Sequence, residues 1–313
     1  MITLLLALGL ANAQQKGPMG LVAPNRDQLW YDNSVFGRYN PLGLIDNFRI
    51  GYRRRLEIGN TALGRDAYVF AGAWITASPA FARGGVFVDV EPTALFRFAD
   101  NYQYGGFFGT FDQVASFDGP GRVWSDSEIA RLGDAGQTAP TTGHHVALLA
   151  QPKFSYGPFA IRNTLTVLWS DLDLPEGDRA WYDQIYDRVV PDGGLYLVND
   201  LDVMGLVSKA RIGVRYTYSN SFFAADDPGP AADPHHRIGP LFAWQFHNHK
   251  DRARFDRPTL FVLAQWWLAH PYRTGEDVSQ GLPLIAAGLS FEGDLLWKGP
   301  PGGKKKRGRI GAR

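Results

Sequence analysis

Arg49, Arg53 and Arg55 stand at odd positions of one segment, Asp89 and Glu91 of a second, Asp200 and Asp202 at even positions of a third, and Arg211 and Arg215 at odd positions of a fourth. On an extended chain, residues two apart project to one face. Such rows, joined by Arg97, Lys153, Arg162 and Glu292, could line a narrow aqueous passage with opposing signs or close it by pairing. They are the candidate lumen residues. Imidazole could bind a metal at His144-His145, His235-His236 or His247-Asn248-His249. Adjacent residues of a strand diverge, however, so the expectation is of polar loop histidines and no metal site. Gly105-Gly106 lacks the strand–loop–helix setting of a phosphate cradle, so no nucleotide site or other cofactor is expected.

Composition narrows the classes further. The 313 residues carry 32 Lys+Arg against 31 Asp+Glu, so no global basic field exists to hold nucleic acid. The absence of Cys removes disulfides, thiolate metal sites, cysteine catalysis and thiol-linked lipid anchors. Ile2 to Leu10 is a short apolar run ending in Ala11-Asn12-Ala13, which reads as a signal peptide over residues 1–13. No stretch approaches the roughly 20 apolar residues of a membrane-spanning helix.

What must position the charged rows is a set of long strands. Alternation over about a dozen residues recurs near 47–58, 66–78, 86–98, 144–156, 159–172, 195–207, 210–222, 237–247, 258–271 and 282–297, and Tyr102 to Phe117 reads as a further, Gly/aromatic strand segment whose two faces do not separate. Soluble strands average about 5–6 residues. Twelve residues at about 3.3 Å each, tilted by about 45°, project to roughly 28 Å, the depth of a bilayer core. A twelfth strand is expected within 27–37, since single-chain bacterial barrels have even strand numbers.

Turns test the facing. A turn at Ser208-Lys209 sets Val203 opposite Val214 and Leu201 opposite Tyr216 on one face, with Asp202 opposite Arg215 and Asp200 opposite Thr217 on the other. A turn at Gly157-Pro158 pairs Leu148 with Val167 and places Lys153 opposite Arg162, a clash that requires an acidic side chain from elsewhere. Tight connections at 99–101, 157–158 and 208–209 alternate with long ones at 118–143, 173–194, 223–236 and 272–281. Ser125 and Glu128 have capping-box spacing for a short helix stopping at Gly133. Residues 181–190 and 195–200 read as a hairpin standing above the membrane. Tyr68, Tyr102, Tyr104, Trp169, Tyr216, Tyr218, Trp244, Trp266 and Trp297 suit the headgroup level.

With Ser78-Pro79-Ala80-Phe81, Phe107-Phe108-Gly109-Thr110-Phe111 and Gln265-Trp266-Trp267, the chain resembles bacterial outer-membrane β-barrel proteins, and more loosely an uncharacterised porin-like set. The resemblance implies an architecture and not an activity. It departs at the end, where Phe291 to Trp297 is followed by residues 298–313, a basic tail expected to be solvated. No His is followed by Ser two residues on, the pattern of outer-membrane phospholipases, so no enzyme is expected. The reading is an all-β, antiparallel up-and-down barrel over 14–297 in outer-membrane lipid, acting as a narrow pore for small solutes. Two alternatives stand beside it: a barrel plugged by its own charges whose loops bind a partner, and a soluble secreted lipid-binding β-protein.

Overall fold

The computed structural model describes residues 26–56, 58, 63–64, 67–108, 114–274 and 281–299. The expected signal at 1–13, Glu57 and the basic tail from 300 onward lie outside them. The strands in chain order are β1 (Asp27–Tyr39), β2 (Gly43–Arg55), β3 (Tyr68–Ala77), β4 (Phe81–Thr93), β5 (Phe96–Phe107), β6 (Ser116–Phe117), β7 (Thr141–Tyr156), β8 (Phe159–Leu172), β9 (Ala180–Asp183), β10 (Arg188–Pro191), β11 (Gly194–Val207), β12 (Ala210–Ser221), β13 (His235–Gln245), β14 (Asp256–Ala269) and β15 (Leu284–Asp294).

All but β6, β9 and β10 form one closed antiparallel barrel of twelve strands, each paired with its sequence neighbour in the wall. Closure comes from β1, the strand expected within 27–37, which pairs with β2 on one side and with β15 on the other, from Trp30 opposite Asp294 to Tyr39 opposite Ile285. The two hairpins read from sequence have the expected register: Val203 faces Val214, Asp202 faces Arg215, and Lys153 faces Arg162. Ser208 and Gly157 take positive φ in those turns, a conformation that glycine adopts without steric cost.

One boundary differs. The tight turn after β4 lies at 94–95 and not at 99–101; Ala99 to Asn101 sit inside β5, and no strand runs through to Phe117. Val86 and Val88 on β4 share parity with Phe96 and Phe98 on β5, and all four are exposed. The apolar pattern therefore continues across the turn and hides it, while a register shift between Val90 and Thr93 absorbs the bend.

Every wall strand sets at least one large apolar side chain on the outside, as in Val35, Leu44, Ile75, Val88, Phe98, Leu148, Ile161, Val203, Val214, Ile238, Val262 and Leu289. A continuous apolar belt of that size belongs in lipid. Both ends of the barrel chain, and the connections 94–95, 157–158 and 208–209, share one end, which also carries 56–67 and 246–255. The opposite end carries 40–42, 78–80 and the long loops 108–140, 173–193, 222–234 and 270–283. Short turns mark the periplasmic side and long loops the external side.

Helix α1 (Asp126–Asp134) lies in the first long loop. Ser125 caps it, accepting from Glu128 N at 3.3 Å; it continues one residue past Gly133, and the Glu128 carboxylate pairs with Arg131 instead of closing the box.

Candidate functional site

The lumen is built in two tiers. In the periplasmic half, inward positions carry charge. Asp89 accepts from Arg97 Nε at 2.8 Å, Arg49 Nη1 at 3.1 Å and the Tyr68 hydroxyl at 3.2 Å. Tyr68 therefore faces inward and is not at the headgroup level, unlike the exposed Tyr102, Tyr104 and Trp266. Lys153 Nζ lies 2.6 Å from Glu91 Oε2, and Arg162 Nε lies 3.0 Å from Asp202, which supplies the acidic partners that the Lys153–Arg162 facing requires. Asp202 also accepts from Arg215 Nε at 2.6 Å, and Arg215 reaches Asp200 at 3.3 Å. The Arg162–Asp202 pair is wholly removed from solvent. Such a pair roughly breaks even against burial, whereas a lone survivor would be costly.

At the periplasmic mouth the 246–255 connection folds inward. Asp251 is buried there against Arg53 at 3.4 Å, Arg55 and Arg257, and Arg257 also binds Glu292. Burial pushes the Asp251 carboxyl up, but the three guanidinium groups hold it down at about 2. Arg53 also stacks over Trp30 at 4.3 Å. Of the residues proposed from sequence, Arg211 stands apart, buried with its Nη1 unpartnered among the described residues.

The external half differs. Apolar side chains share its inward positions with polar ones: Phe36, Phe81, Phe107, Leu241, Phe261, Leu263 and Trp267 are all buried, beside Arg83, His145 and Gln265. They receive the β9–β10 hairpin, whose Trp181, Tyr186 and Val190 complete one cluster with them. The hairpin thus pairs β9 with β10 and sits inside the mouth; it does not join 195–200, which is wall strand, and does not stand above the membrane. The reason is apolar content on both parities: every residue of β9 and β10 is buried.

Polar contacts latch the hairpin. Arg38 donates to Ile185 O at 2.6 Å, Tyr196 to Asp183 at 2.9 Å, and Arg188 to Ser221 Oγ at 2.7 Å and Asp233 O at 2.9 Å. Asp187 accepts from Tyr182 at 2.6 Å and from Arg273 Nε at 3.0 Å, and Arg273 also holds Asp126 of α1 and Asn40. Burial raises the Asp183 carboxyl above its ordinary range. It would raise Asp187 too, but Arg273 and His270 hold that carboxyl well below the usual value. Burial presses the His270 imidazole down to about 4, against the pull of Asp187.

Among the described residues, a cavity of about 40 Å³ between the tiers is lined by Phe36, Ile185, Asp200, Arg215 and Gln265 among others, room for a water or two. A larger cavity of about 430 Å³ opens at the external rim, between the low wall at Pro41 to Leu44 and Ser78 to Ala80 and the plug residues Ile129, Tyr182 and Gln184. Inside, His145 Nδ1 lies 3.1 Å from Ser170 Oγ, and Ser170 lies 3.4 Å from the Tyr196 hydroxyl. That Ser–His pair is sealed beneath Trp181 and away from the lipid face.

Sequence reasoning missed Arg38, Arg83, Asp183, Asp187, Arg188, Arg237, His270 and Arg273. Arg83 shares parity with Asp89 and Glu91 and was open to the same inference. The hairpin and loop residues carried no periodic signal, because a plug is specified by the wall around it.

No family profile matches the chain, and no curated protein matches it. Among solved structures it is similar to the beta domain of the Bordetella autotransporter BrkA (10% identity, TM-score 0.43, 86% of this chain and all of that one). It is also similar to the translocator domain of NalP from Neisseria meningitidis (10% identity, TM-score 0.39, 92% of each chain). A third likeness is to the toluene transporter TodX of Pseudomonas putida (8% identity, TM-score 0.35, 86% and 89%). The deciding observations are internal to the chain: an even-stranded closed wall, an apolar belt, and short turns opposite long loops. Its architecture is that of a bacterial outer-membrane β-barrel.

Proposed function

We propose that this outer-membrane barrel is a gated conduit for small solutes, shut in the present conformation by the β9–β10 hairpin. The observation that carries the reading is the make-up of the external plug: it is a loop excursion between β8 and β11, not a wall strand, packed on the wall through Trp181, Tyr186 and Val190 and latched by contacts that include Asp187 with Arg273. Twelve strands enclose a wider lumen than the eight-stranded barrels that side chains alone can fill. The rim cavity, which reaches Tyr182 and Gln184 of the hairpin segment, is where a solute would meet the gate.

The lower tier favours a second reading. Its ion pairs belong to wall strands, so departure of the hairpin leaves Asp202, Arg162 and Arg215 in place, as a plugged barrel that binds a partner through its loops would have it.

Planar-bilayer recording of the folded protein and of a variant with residues 181–190 replaced by a Gly/Ser linker separates the two. The gated conduit requires a silent parent and a variant with discrete conductance. Silence from both, with the variant's fold verified by heat-modifiable gel migration, overturns the conduit and leaves the partner-binding barrel.

A further inference from the structure

His247 and His249 were set aside in the sequence on the ground that adjacent strand residues diverge, but these two are not adjacent. Two apart on the extended 246–255 connection, they point the same way. Their Nδ1 atoms lie 3.0 Å apart, and Asp256 Oδ1 lies 3.3 Å from His249 Nδ1 and 3.9 Å from His247 Nδ1. Zinc holds nitrogen and carboxylate oxygen at about 2.0–2.2 Å in a tetrahedron, which separates its donors by roughly 3.3–3.6 Å. The sides of the triangle found here, 3.0, 3.3 and 3.9 Å, bracket that separation and reach it with shifts of a few tenths of an ångström.

The carboxylate corner is built rigidly. Asp256 has no solvent exposure; its Oδ1 accepts from the backbone N–H of His249 at 2.6 Å and of Arg257 at 2.9 Å, and its Oδ2 from that of Asp251 at 3.0 Å. Lys250, Asp251 and Arg257 take positive φ, backbone bends that wrap the connection around this carboxylate. Phe255 packs beside the His247 ring, centroids 5.8 Å apart, and is itself braced on Phe291. Both imidazoles keep an exposed edge, His247 at 37% and His249 at 53%, so a fourth coordination position opens outward. The Arg257 guanidinium, one residue on from Asp256, is engaged with Asp251 and Glu292.

We propose that His247, His249 and Asp256 form a binding site for a divalent transition ion of the zinc type at the periplasmic end of the barrel. A metal there joins the 246–255 connection to the first residue of β14 and fastens the segment that carries Asp251 into the mouth. A metal ion and protons compete for the same imidazole nitrogens, so binding there releases protons.

The test uses the full-length, untagged protein in detergent, titrated with zinc against a chromophoric chelator and, separately, with cobalt. The site predicts one equivalent of zinc bound more tightly than about 10 µM. It predicts cobalt absorption bands of low coordination number and a loss of affinity of at least about 10-fold in His249→Gln and in His247→Gln. Both histidines are surface side chains, and heat-modifiable migration verifies that the variants remain folded. His236→Gln, on the opposite end of the barrel, leaves the affinity unchanged. Absence of a bound equivalent, or binding equally strong in both single variants, overturns the proposal and leaves the Nδ1–Nδ1 approach as an N–H···N hydrogen bond.

Discussion

The Asp187 carboxylate of the plug hairpin accepts from Arg273 Nε at 3.0 Å, joining a segment inside the external mouth to the loop that follows β14. Both side chains are nearly solvent-free, and Arg273 continues to Asp126 and Asn40, so one guanidinium ties hairpin, helix α1, the β1–β2 turn and the β14–β15 loop together. Removing one partner of such a pair leaves the other charged and buried. Arg273→Ala should therefore cost about 3–5 kcal/mol of local stability. Amide exchange and protease cleavage should rise across 180–191 while the wall strands stay protected. Arg273→Ala combined with Asp187→Asn should recover part of the loss, because the stranded charge is gone.

The latch should also loosen in acid. His270 is held near 4 in the folded protein against an ordinary value near 6.5, so the open state binds the proton more readily than the closed one. Stability is then fully present above about pH 6.5 and falls as pH drops towards 4, by about 1.4 kcal/mol per unit within that window. Asp187 works in the same direction but only at lower pH, since its folded value lies beneath the carboxylate range and its contribution is lost only once pH falls below the ordinary carboxylate value. Exchange of the 180–191 amides, corrected for intrinsic rates, should accelerate between pH 6.5 and 4 in the parent and rise less steeply in His270→Gln, which keeps the buried His235 packed beside it.

Two carboxylates separate buried from exposed pairing. Asp202 serves Arg162 and Arg215 inside the lumen, whereas Asp27 meets Arg54 at 3.7 Å with both side chains about half exposed. Asp202→Asn should cost about 3–5 kcal/mol in urea unfolding from vesicles. Asp27→Asn should cost under about 1 kcal/mol. Equal losses would mean that water reaches the lower tier.

The lipid belt makes a prediction of opposite sign at two positions. Val203 is exposed on the outer wall, so Val203→Arg should destabilise by about 2–4 kcal/mol if it lies near the midplane. Asp100 is also exposed outward, amid Val88, Phe98, Leu148 and Val167. A carboxylate among those side chains opposes insertion, and Asp100→Leu should stabilise the barrel by about 1–2 kcal/mol. The same vesicle unfolding series reads both.

Much of the wall was legible without coordinates, because lipid on one side of a strand and a closed interior on the other impose a period of two that any strand must display. That period, with two-residue turns, placed Asp202 against Arg215 and Lys153 against Arg162 and required an acidic side chain from another strand or loop, a part taken by Glu91 and Asp202 on other strands. The turn at Ala94-Leu95 escaped because apolar parity continues through it. The state of the lumen was decided only in three dimensions. Alternation reports which way a side chain points, but pairing, filling and the inward fold of β9–β10 depend on which strands closure brings opposite one another. Asp187 and Arg273 are 86 residues apart, and His249 meets Asp256 only because the connection bends back on itself; such proximity is a property of the closed barrel and its loops, with no local pattern to announce it.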